Sequence, residues 1–306
     1  QTNHILKDLQ QEHPALHLTL FTERQGKPGI INQLAEKASG DILVITDANV
    51  ILQPETLTQL ISGFINEQIG LVDSRLVNPG ANGVGISRQE SFYISREVSI
   101  KHHESLLWGS MMGPFGGCYA VRKSLYQPVP NTFLVDDFFI NMSVLKQGFH
   151  CISKLEAIVH EKASSDPGEE FRRKKRISAG NFQNLSIFWP LIFRASRGIG
   201  FCFLSHKVIR WLVPFLVLIT LVTSLLLGTR NGLYLGLALV HLGLFLIPVI
   251  DHFLRKIKIQ SLPLRFISHF IMMNLALLAG FFRYLGGIKN NVWQPTSRTQ
   301  DHAQFH

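Results

Sequence analysis

Two long stretches without a charged residue, in the last third of the chain, constrain the fold most strongly. Residues 211–229 and 232–250 contain no Asp, Glu, Lys or Arg. Each is close to the roughly 20 residues that an α-helix needs to cross a bilayer. Only Arg230 and Asn231 separate them, which leaves room for a tight turn. The sequence therefore predicts a hairpin of two membrane spans that returns the chain to its starting side.

A third apolar run covers residues 266–284 and contains His269 and Asn274. It predicts either a third span or a re-entrant segment. Arg and Lys concentrate in the loop 255–265 that precedes it, and cytoplasmic loops are enriched in these residues. We therefore expect an integral protein of a bacterial inner membrane, with the domain before the spans in the cytoplasm. The polar tail, residues 289–306, lies outside if the third run crosses and inside if it does not.

Residues 188–210 combine aromatic and basic side chains and directly precede the first span. Trp189, Phe193 and Phe201 alternate with cations such as Lys207 and Arg210. This composition predicts an amphipathic helix in the membrane interface, with membrane lipid as its partner. An ordinary surface helix packed on the sheet is the alternative.

The first part of the chain, residues 1–187, has the mixed composition of a soluble α/β domain. The pattern predicts a short helix ended by Pro14, strands over 15–21, 42–47 and 70–77, and helices over 28–38 and 54–66. Strands that alternate with helices indicate a doubly wound sheet, here of mixed direction. Because the chain opens on a helix rather than a strand, we expect the first strand-helix unit of this fold to be missing and to lie before Gln1.

The formal net charge of +9 indicates an anionic partner, which nucleic acid, anionic lipid or a phosphate-bearing substrate would satisfy. No basic stripe with interleaved aromatic residues is present, so nucleic acid is excluded as the partner. The three cysteines stand far apart and do not have the spacing of a metal site.

Asp47 and Asn49 follow the buried apolar strand 42–46. Ligand contacts in open α/β sheets lie at the carboxyl ends of strands. A carboxylate and an amide oxygen two residues apart can hold a sugar hydroxyl, or a hard cation that bridges a diphosphate. A turn that uses Asp and Asn for local hydrogen bonds is the alternative.

Asp136 and Asp137 are adjacent acids at the start of an apolar segment. Two neighbouring carboxylates repel each other, which raises one pKa toward the range of a general base. The alternative is a helix N-terminus, where Asp is favoured by the helix dipole. Both interpretations can hold together.

Five consecutive basic residues, 172–176, form the third polar signal. Arg is suited to paired contacts with a diphosphate. A solvated helix face or a patch for lipid headgroups is the alternative.

Together and in this order, these segments resemble the family-2 glycosyltransferases of the GT-A fold. The likeness is to the membrane-bound branch that includes cellulose-synthase-like and hyaluronan-synthase-like enzymes. The matching segments are GKPGIIN at 26–32, GDILVITDAN at 40–49, GGCYAVR at 116–122, Asp136-Asp137, RKKRI at 173–177 and WQPTSR at 293–298.

The resemblance implies a role for each matching position. Asp137 would be the catalytic base, with Gly116, Gly117 and Asp136 on the acceptor side. The donor-binding residues would be Lys27, Asn32, Asp47, Asn49, Arg173 and Arg176. Asp47 and Asn49 would also hold a divalent cation, Mg²⁺ or Mn²⁺.

The implied reaction is an inverting transfer from a nucleotide-sugar, a UDP-sugar, to a lipid-linked or cell-envelope saccharide at the cytoplasmic membrane face. Three departures modify it. Asn49 replaces a carboxylate, which weakens the expected metal site. Arg173 and Ile177 replace the Gln and Trp of the family motif, which argues against a processive synthase. The alternative function is a non-catalytic membrane subunit that binds a nucleotide-sugar or assists assembly, which the missing N-terminal unit and Asn49 would favour.

Overall fold

The computed structural model describes residues 2–77, 86–161, 167–257, 259, 261–289 and 291. The strands are β1 (Ile42–Thr46), β2 (Ile51–Leu52), β3 (Ile69–Val77), β4 (Cys118–Arg122) and β5 (His150–His160). The helices of the first part are α1 (Thr2–Glu12), α2 (Gly26–Lys37), α3 (Thr56–Ser62), α4 (Ile86–Trp108), α5 (Asp136–Lys146) and α6 (Pro167–Phe188). This is an α/β domain, as the sequence predicts.

The five strands form one mixed sheet in the order β1-β4-β3-β5-β2. Strand β4 runs antiparallel to both of its neighbours, whereas β3 and β5 are parallel. The carboxyl ends of β1, β3 and β5 therefore meet the beginning of β4 at one edge of the sheet. This edge brings together the segments that follow β1 and β5 and precede β4, which are far apart in sequence.

One local prediction is wrong, and one predicted helix is shorter than expected. Residues 15–21 form no strand, and Leu16 and Leu20 are exposed. Alternating hydrophobic and polar residues alone do not make a strand, because the backbone N–H and C=O groups of a strand need a second strand to pair with. The helix predicted over 54–66 is shortened to Thr56–Ser62, because Pro54 and Glu55 lie in the turn before it and Gly63 ends it.

Three helices follow the sheet domain: α7 (Ile199–Gly228), α8 (Gly232–Lys256) and α9 (Leu262–Leu285). All three are long and apolar enough to cross a membrane by length and composition. Helices α7 and α8 form the predicted helical hairpin, and their crossing of a membrane stays a prediction. The third apolar run forms the single helix α9 rather than a broken re-entrant segment.

The single helix predicted over 188–210 is wrong. Trp189–Phe193 and Ser196–Gly198 form separate 3₁₀ turns, and α7 begins only at Ile199. Gly198 has a φ of 59°, a left-handed conformation that interrupts a helix. Trp189 and Phe193 are nevertheless exposed. Their contact with a membrane interface stays a prediction.

The first turns of α7 belong to the core of the sheet domain. Phe203 and Trp211 are buried there, and the Trp211 ring lies 5.6 Å from that of Phe138 on α5. Residues 203–208 form a π-helical segment within α7. The sheet domain and the first span therefore share one hydrophobic core.

Helix α9 packs directly against α6. Gly280 lies against the side chain of Ser178 and the carbonyl oxygen of Lys175, and a Cβ at position 280 would overlap both. The Ser178 hydroxyl donates a hydrogen bond of 2.7 Å to the carbonyl oxygen of Leu277. The helix that carries the basic cluster 172–176 is thus fixed to a candidate membrane helix.

Candidate active site

A cavity of about 1650 Å³ opens at the sheet edge where β1, β4 and β5 meet. Its walls come from the ends of these strands and from α2, α4, α5, α6, α7 and α9. Of the residues predicted to act in the site, it is lined by Lys27, Asp47, Asn49, Gly116, Asp136, Asp137, Arg173 and Arg176. The segment 293–298 lies outside the described residues.

Lys27 is the central cation of the acidic side of this cavity. Its Nζ lies 2.9 Å from Asp47 Oδ1 and 3.3 Å from Asp136 Oδ2. Burial lowers the pKa of Lys27, but the attraction of Asp136, Asp47 and Asp137 outweighs it, so the pKa rises above its usual value. Lys27 therefore stays charged and joins the end of β1 to the start of α5.

Asp136 and Asp137 occupy the first turn of α5, as the helix-start interpretation predicts, and the role of a general base stays a prediction. Asp137 Oδ1 accepts a hydrogen bond of 2.7 Å from the backbone N–H of Phe138, as an acid at a helix start does. Burial and the repulsion of Asp136 raise the pKa of Asp137 to about 6, against the attraction of Lys27. A carboxyl group with this pKa is ionised at neutral pH and more basic than an ordinary Asp.

Gly116 lies directly against the Asp137 carboxylate. Its φ is 81°, and a Cβ there would overlap Asp137 Oδ2. Glycine therefore keeps open the space next to the acid. Gly117, predicted beside it, does not line the cavity. Its carbonyl oxygen accepts a hydrogen bond of 2.9 Å from the backbone N–H of Asp47 and thereby positions that residue.

Arg173 and Arg176 project from α6 toward the acids. Arg176 Nη1 donates a hydrogen bond of 3.0 Å to the carbonyl oxygen of Leu134. Arg173 Nη1 lies 3.7 Å from Glu170 Oε2. Burial and the nearby Arg173 lower the pKa of Arg176, while Asp136, Asp137 and Asp47 act in the opposite direction. Two guanidinium groups thus face the same cavity as the acids.

The prediction for Asn32 is wrong. Asn32 Oδ1 accepts hydrogen bonds from Tyr126 Oη at 2.7 Å and from the backbone N–H of Val129 at 2.9 Å. Its Nδ2 donates a bond of 2.8 Å to the carbonyl oxygen of Val129. Asn32 does not line the cavity. These contacts fix the loop after β4. Asn32 therefore stabilises the fold and does not bind the donor.

Asn49 has a neighbour that the sequence did not predict. Its Nδ2 donates a hydrogen bond of 3.1 Å to Glu161 Oε1, and Glu161 directly follows β5. The sequence signal that could have identified Glu161 is an acidic residue at the carboxyl end of a strand. No group of three His, Cys, Asp or Glu that could hold a metal occurs among the residues described. Asp47, Asn49 and Glu161 are nevertheless hard oxygen donors, which suit Mg²⁺ or Mn²⁺ when phosphates complete the shell.

The cavity continues along one face of α9, a candidate membrane helix, whose lining is mostly apolar and includes the polar side chains of His269 and Asn274. Phe266, Phe270, Met273 and Leu277 line it and recur at spacings of three and four, which places them on one side of the helix. Trp211 and Val213 of α7 line it as well. One continuous space therefore joins the carboxylates to the side chains of two candidate membrane spans.

Sequence matching identifies the class of protein that this fold and cavity define. The model of the glycosyl transferase family group 2 matches residues 42–282. The chain belongs to this family and is a glycosyltransferase with the GT-A fold. None of the curated protein sequences compared with the chain matches it.

Solved structures agree with the fold. A mannosyltransferase from Pyrobaculum calidifontis, solved in complex with GDP-Man and Mn²⁺, has a TM-score of 0.63 and 18% identity over 93% of this chain and 74% of its own. Glucosyl-3-phosphoglycerate synthase from Mycobacterium tuberculosis has a TM-score of 0.35 and 20% identity over 58% of this chain and 59% of its own. The first similarity supports the fold alone, and the second is too low to support an argument.

Proposed function

We propose that the protein transfers a sugar, with inversion, from a nucleotide-sugar to a lipid-linked saccharide at the cytoplasmic face of a bacterial membrane. The observation that carries this proposal is the continuous cavity that joins Asp137 to the apolar face of α9. A water-soluble acceptor would need only the polar end of this space. An acceptor with an apolar chain fills both ends.

Asp137 is the proposed base. Its carboxylate takes the proton of an acceptor hydroxyl while that oxygen attacks the anomeric carbon and the bond to the nucleoside diphosphate breaks on the opposite face. One C–O bond forms and one breaks, the proton goes to Asp137, and the electron pair leaves with the diphosphate. Gly116 leaves room for the hydroxyl beside the carboxylate.

Lys27, Arg173 and Arg176 are the proposed partners of the leaving diphosphate, because cations aimed at developing negative charge lower the barrier. Asp47, Asn49 and Glu161 would hold a divalent cation. When bound, such a cation would neutralise charge on the diphosphate. The relative solved with GDP-Man also contains Mn²⁺, which supports this role in the fold.

The full-length protein in detergent, incubated with a panel of UDP-sugars and GDP-mannose, is expected to release nucleoside diphosphate from one donor class. A UDP-sugar is the proposed donor. Release should increase when a membrane lipid extract that contains the acceptor is added. The absence of release with every donor, with and without Mn²⁺, would refute the proposed reaction.

The metal site gives a separate expectation. The Asn49 amide now donates a hydrogen bond to the Glu161 carboxylate. In Asn49→Asp, two carboxylates would face each other at this place, and a bound cation would relieve their repulsion. With UDP present, Asn49→Asp is expected to bind Mn²⁺ about tenfold more tightly and Glu161→Gln about tenfold more weakly, measured by electron paramagnetic resonance of free Mn²⁺.

Glu156→Gln is the matched control, because Glu156 lies on β5, which Glu161 directly follows, but is exposed and pairs with Lys154 at 3.7 Å. It should bind Mn²⁺ as the unchanged protein does. Equal Mn²⁺ affinity in all four proteins would exclude Asn49 and Glu161 as the metal donors.

A further inference from the structure

A buried ion pair joins β3 to α4 beside the candidate active site, and the proposed reaction does not use it. Asp73 on β3 and Lys101 on α4 are 1% and 2% exposed, and Lys101 Nζ lies 3.3 Å from Asp73 Oδ2. Burial raises the pKa of Asp73 to about 6 against the attraction of Lys101, so the carboxylate is mostly ionised at neutral pH. A buried ion pair seldom makes a protein more stable than an apolar pair of similar size does. Stability alone therefore does not account for this pair.

Both members of the pair act on Phe115, in the loop before β4. Lys101 Nζ lies 3.6 Å from the centroid of the Phe115 ring, which is the geometry of a cation–π contact. The backbone N–H of Phe115 favours the ionised form of Asp73. Next to Asp73, the Ser74 hydroxyl donates a hydrogen bond of 2.6 Å to the carbonyl oxygen of Cys118. The segment from Phe115 to Cys118 is therefore held by side chains of β3 and α4.

This segment contains the two glycines that meet the acids of the candidate site. Gly116 lies against the Asp137 carboxylate. The carbonyl oxygen of Gly117 accepts the hydrogen bond of 2.9 Å from the backbone N–H of Asp47. Phe115 directly precedes the two glycines, so a displacement of Phe115 would pass through the backbone to both acids. Small displacements of a catalytic group can lower a rate strongly.

Lys101 also acts on Asp137 through its charge, and its side chain lines the cavity. Burial and the repulsion of Asp136 raise the pKa of Asp137, whereas Lys27 and Lys101 lower it. Lys101 therefore joins Lys27 in keeping Asp137 in the carboxylate form that accepts a proton. Charged and titratable groups of five elements act on Asp137: Asp136 on α5, Lys27 on α2, Lys101 on α4, Arg176 on α6 and Tyr119 on β4.

We propose that Asp73 and Lys101 are positioning residues for the transfer reaction. They fix the segment 115–117, and the glycines of this segment keep the carboxylates of Asp47 and Asp137 in place. The pair takes no part in bond making. The inference rests on the proposed function and adds two residues that the sequence did not single out.

A double variant tests the proposal without leaving a buried charge unpaired. Asp73→Asn combined with Lys101→Met removes both charges and nearly keeps the size of both side chains. Its melting temperature should therefore stay within a few degrees of that of the unchanged protein. The kcat for sugar transfer should fall about a hundredfold. Calorimetric titration should show unchanged UDP binding, because Lys27, Arg173 and Arg176 remain.

A profile of kcat/KM against pH gives a readout that a merely structural pair would not change. The double variant lacks the positive charge of Lys101, so the pKa of Asp137 should rise and the acidic limb should move to higher pH. The matched control removes Lys154 and Glu156, a solvent-accessible ion pair of 3.7 Å on β5. Lys154→Met combined with Glu156→Gln should keep kcat, the position of the limb and UDP binding.

Hydrogen exchange, followed by mass spectrometry, tests the positioning without turnover. The backbone N–H of Asp47 is bonded to Gly117, so in the double variant it should exchange at least about tenfold faster. Exchange within α8 should be unchanged. Phe115→Leu is a second variant, which keeps the ion pair and removes only the contact with the ring. It should also speed exchange at Asp47 and lower kcat about tenfold, so the test does not depend on how the double variant folds.

Normal kcat together with an unshifted limb in the folded double variant would overturn the proposal. Losses of the same size in the control variant would do so as well. If the unchanged protein releases nucleoside diphosphate from no donor, the proposed function is refuted. Exchange at Asp47 then decides the positioning by itself: faster exchange in the variants supports it, and unchanged exchange contradicts it.

Discussion

Replacing Asp137 by Asn is expected to lower kcat for sugar transfer by about a thousandfold, within the range that a lost general base produces. Asn has the shape of Asp but cannot accept the proton of the acceptor hydroxyl. Nucleotide binding should be nearly unchanged, because Lys27, Asp47 and the guanidinium groups remain. Initial rates of nucleoside diphosphate release with acceptor, and calorimetric titration with UDP, measure the two effects separately.

The same variant should not be less stable. The pKa of Asp137 is raised in the folded protein, so the folded state binds the proton more tightly than the unfolded chain does. By linkage, the ionised carboxylate lowers stability at neutral pH, and the neutral Asn removes that cost. The melting temperature of Asp137→Asn should equal or exceed that of the unchanged protein. Asp41 is an exposed acid before β1, so Asp41→Asn is the control for both the transfer rate and the melting temperature. Normal transfer by Asp137→Asn would eliminate this residue as the base.

Replacing Lys27 by Met is expected to reduce kcat/KM at pH 7 by a factor on the order of a hundred to a thousand. The variant loses the cation that lies 2.9 Å from Asp47 and 3.3 Å from Asp136. These two acids and Asp137 then repel one another. Lys27 also lowers the pKa of Asp137, so its removal should raise that pKa further.

A profile of kcat/KM against pH distinguishes this electrostatic effect from misfolding. In the unchanged protein, activity should fall as the pH drops through about 6, where Asp137 becomes protonated. In Lys27→Met, this acidic limb should move to higher pH. Lys37 is an exposed residue at the end of the same helix, so Lys37→Met should leave the acidic limb in place. Lys27→Arg keeps the positive charge and should therefore keep most of the activity and the position of the limb. An unshifted limb in Lys27→Met would contradict the proposed coupling.

Much of this site could be predicted because its parts are local. Asp47 and Asn49 end an apolar strand, and Asp136 and Asp137 start an apolar helix. The order of these segments along the chain indicates the family. The uncharged stretches predicted the membrane helices for the same reason, since hydrophobic length is read directly from consecutive residues.

The errors and omissions concern contacts between distant residues. Asn32 looks like a donor ligand by its place in a motif, but its partners lie 94 and 97 residues further along the chain. Glu161 meets Asn49 because β2 and β5 pair in the sheet, and this pairing has no local signal. Lys207 and Arg210 looked like lipid-facing cations, whereas both side chains contact Glu97 and line the cavity.

The close contact of Gly280 with Ser178 and Lys175 has a consequence for how the enzyme can be divided. The helix that carries Arg173 and Arg176, the proposed partners of the diphosphate, owes part of its position to a candidate membrane helix. A soluble fragment cut before the first span would lose that support and expose the faces of Phe138 and Phe182 that pack against the rings of the removed helices. The sheet domain and the candidate membrane helices are therefore not separable modules. A transplanted membrane region must bring a small residue at position 280, or the arginines lose their alignment with the acids.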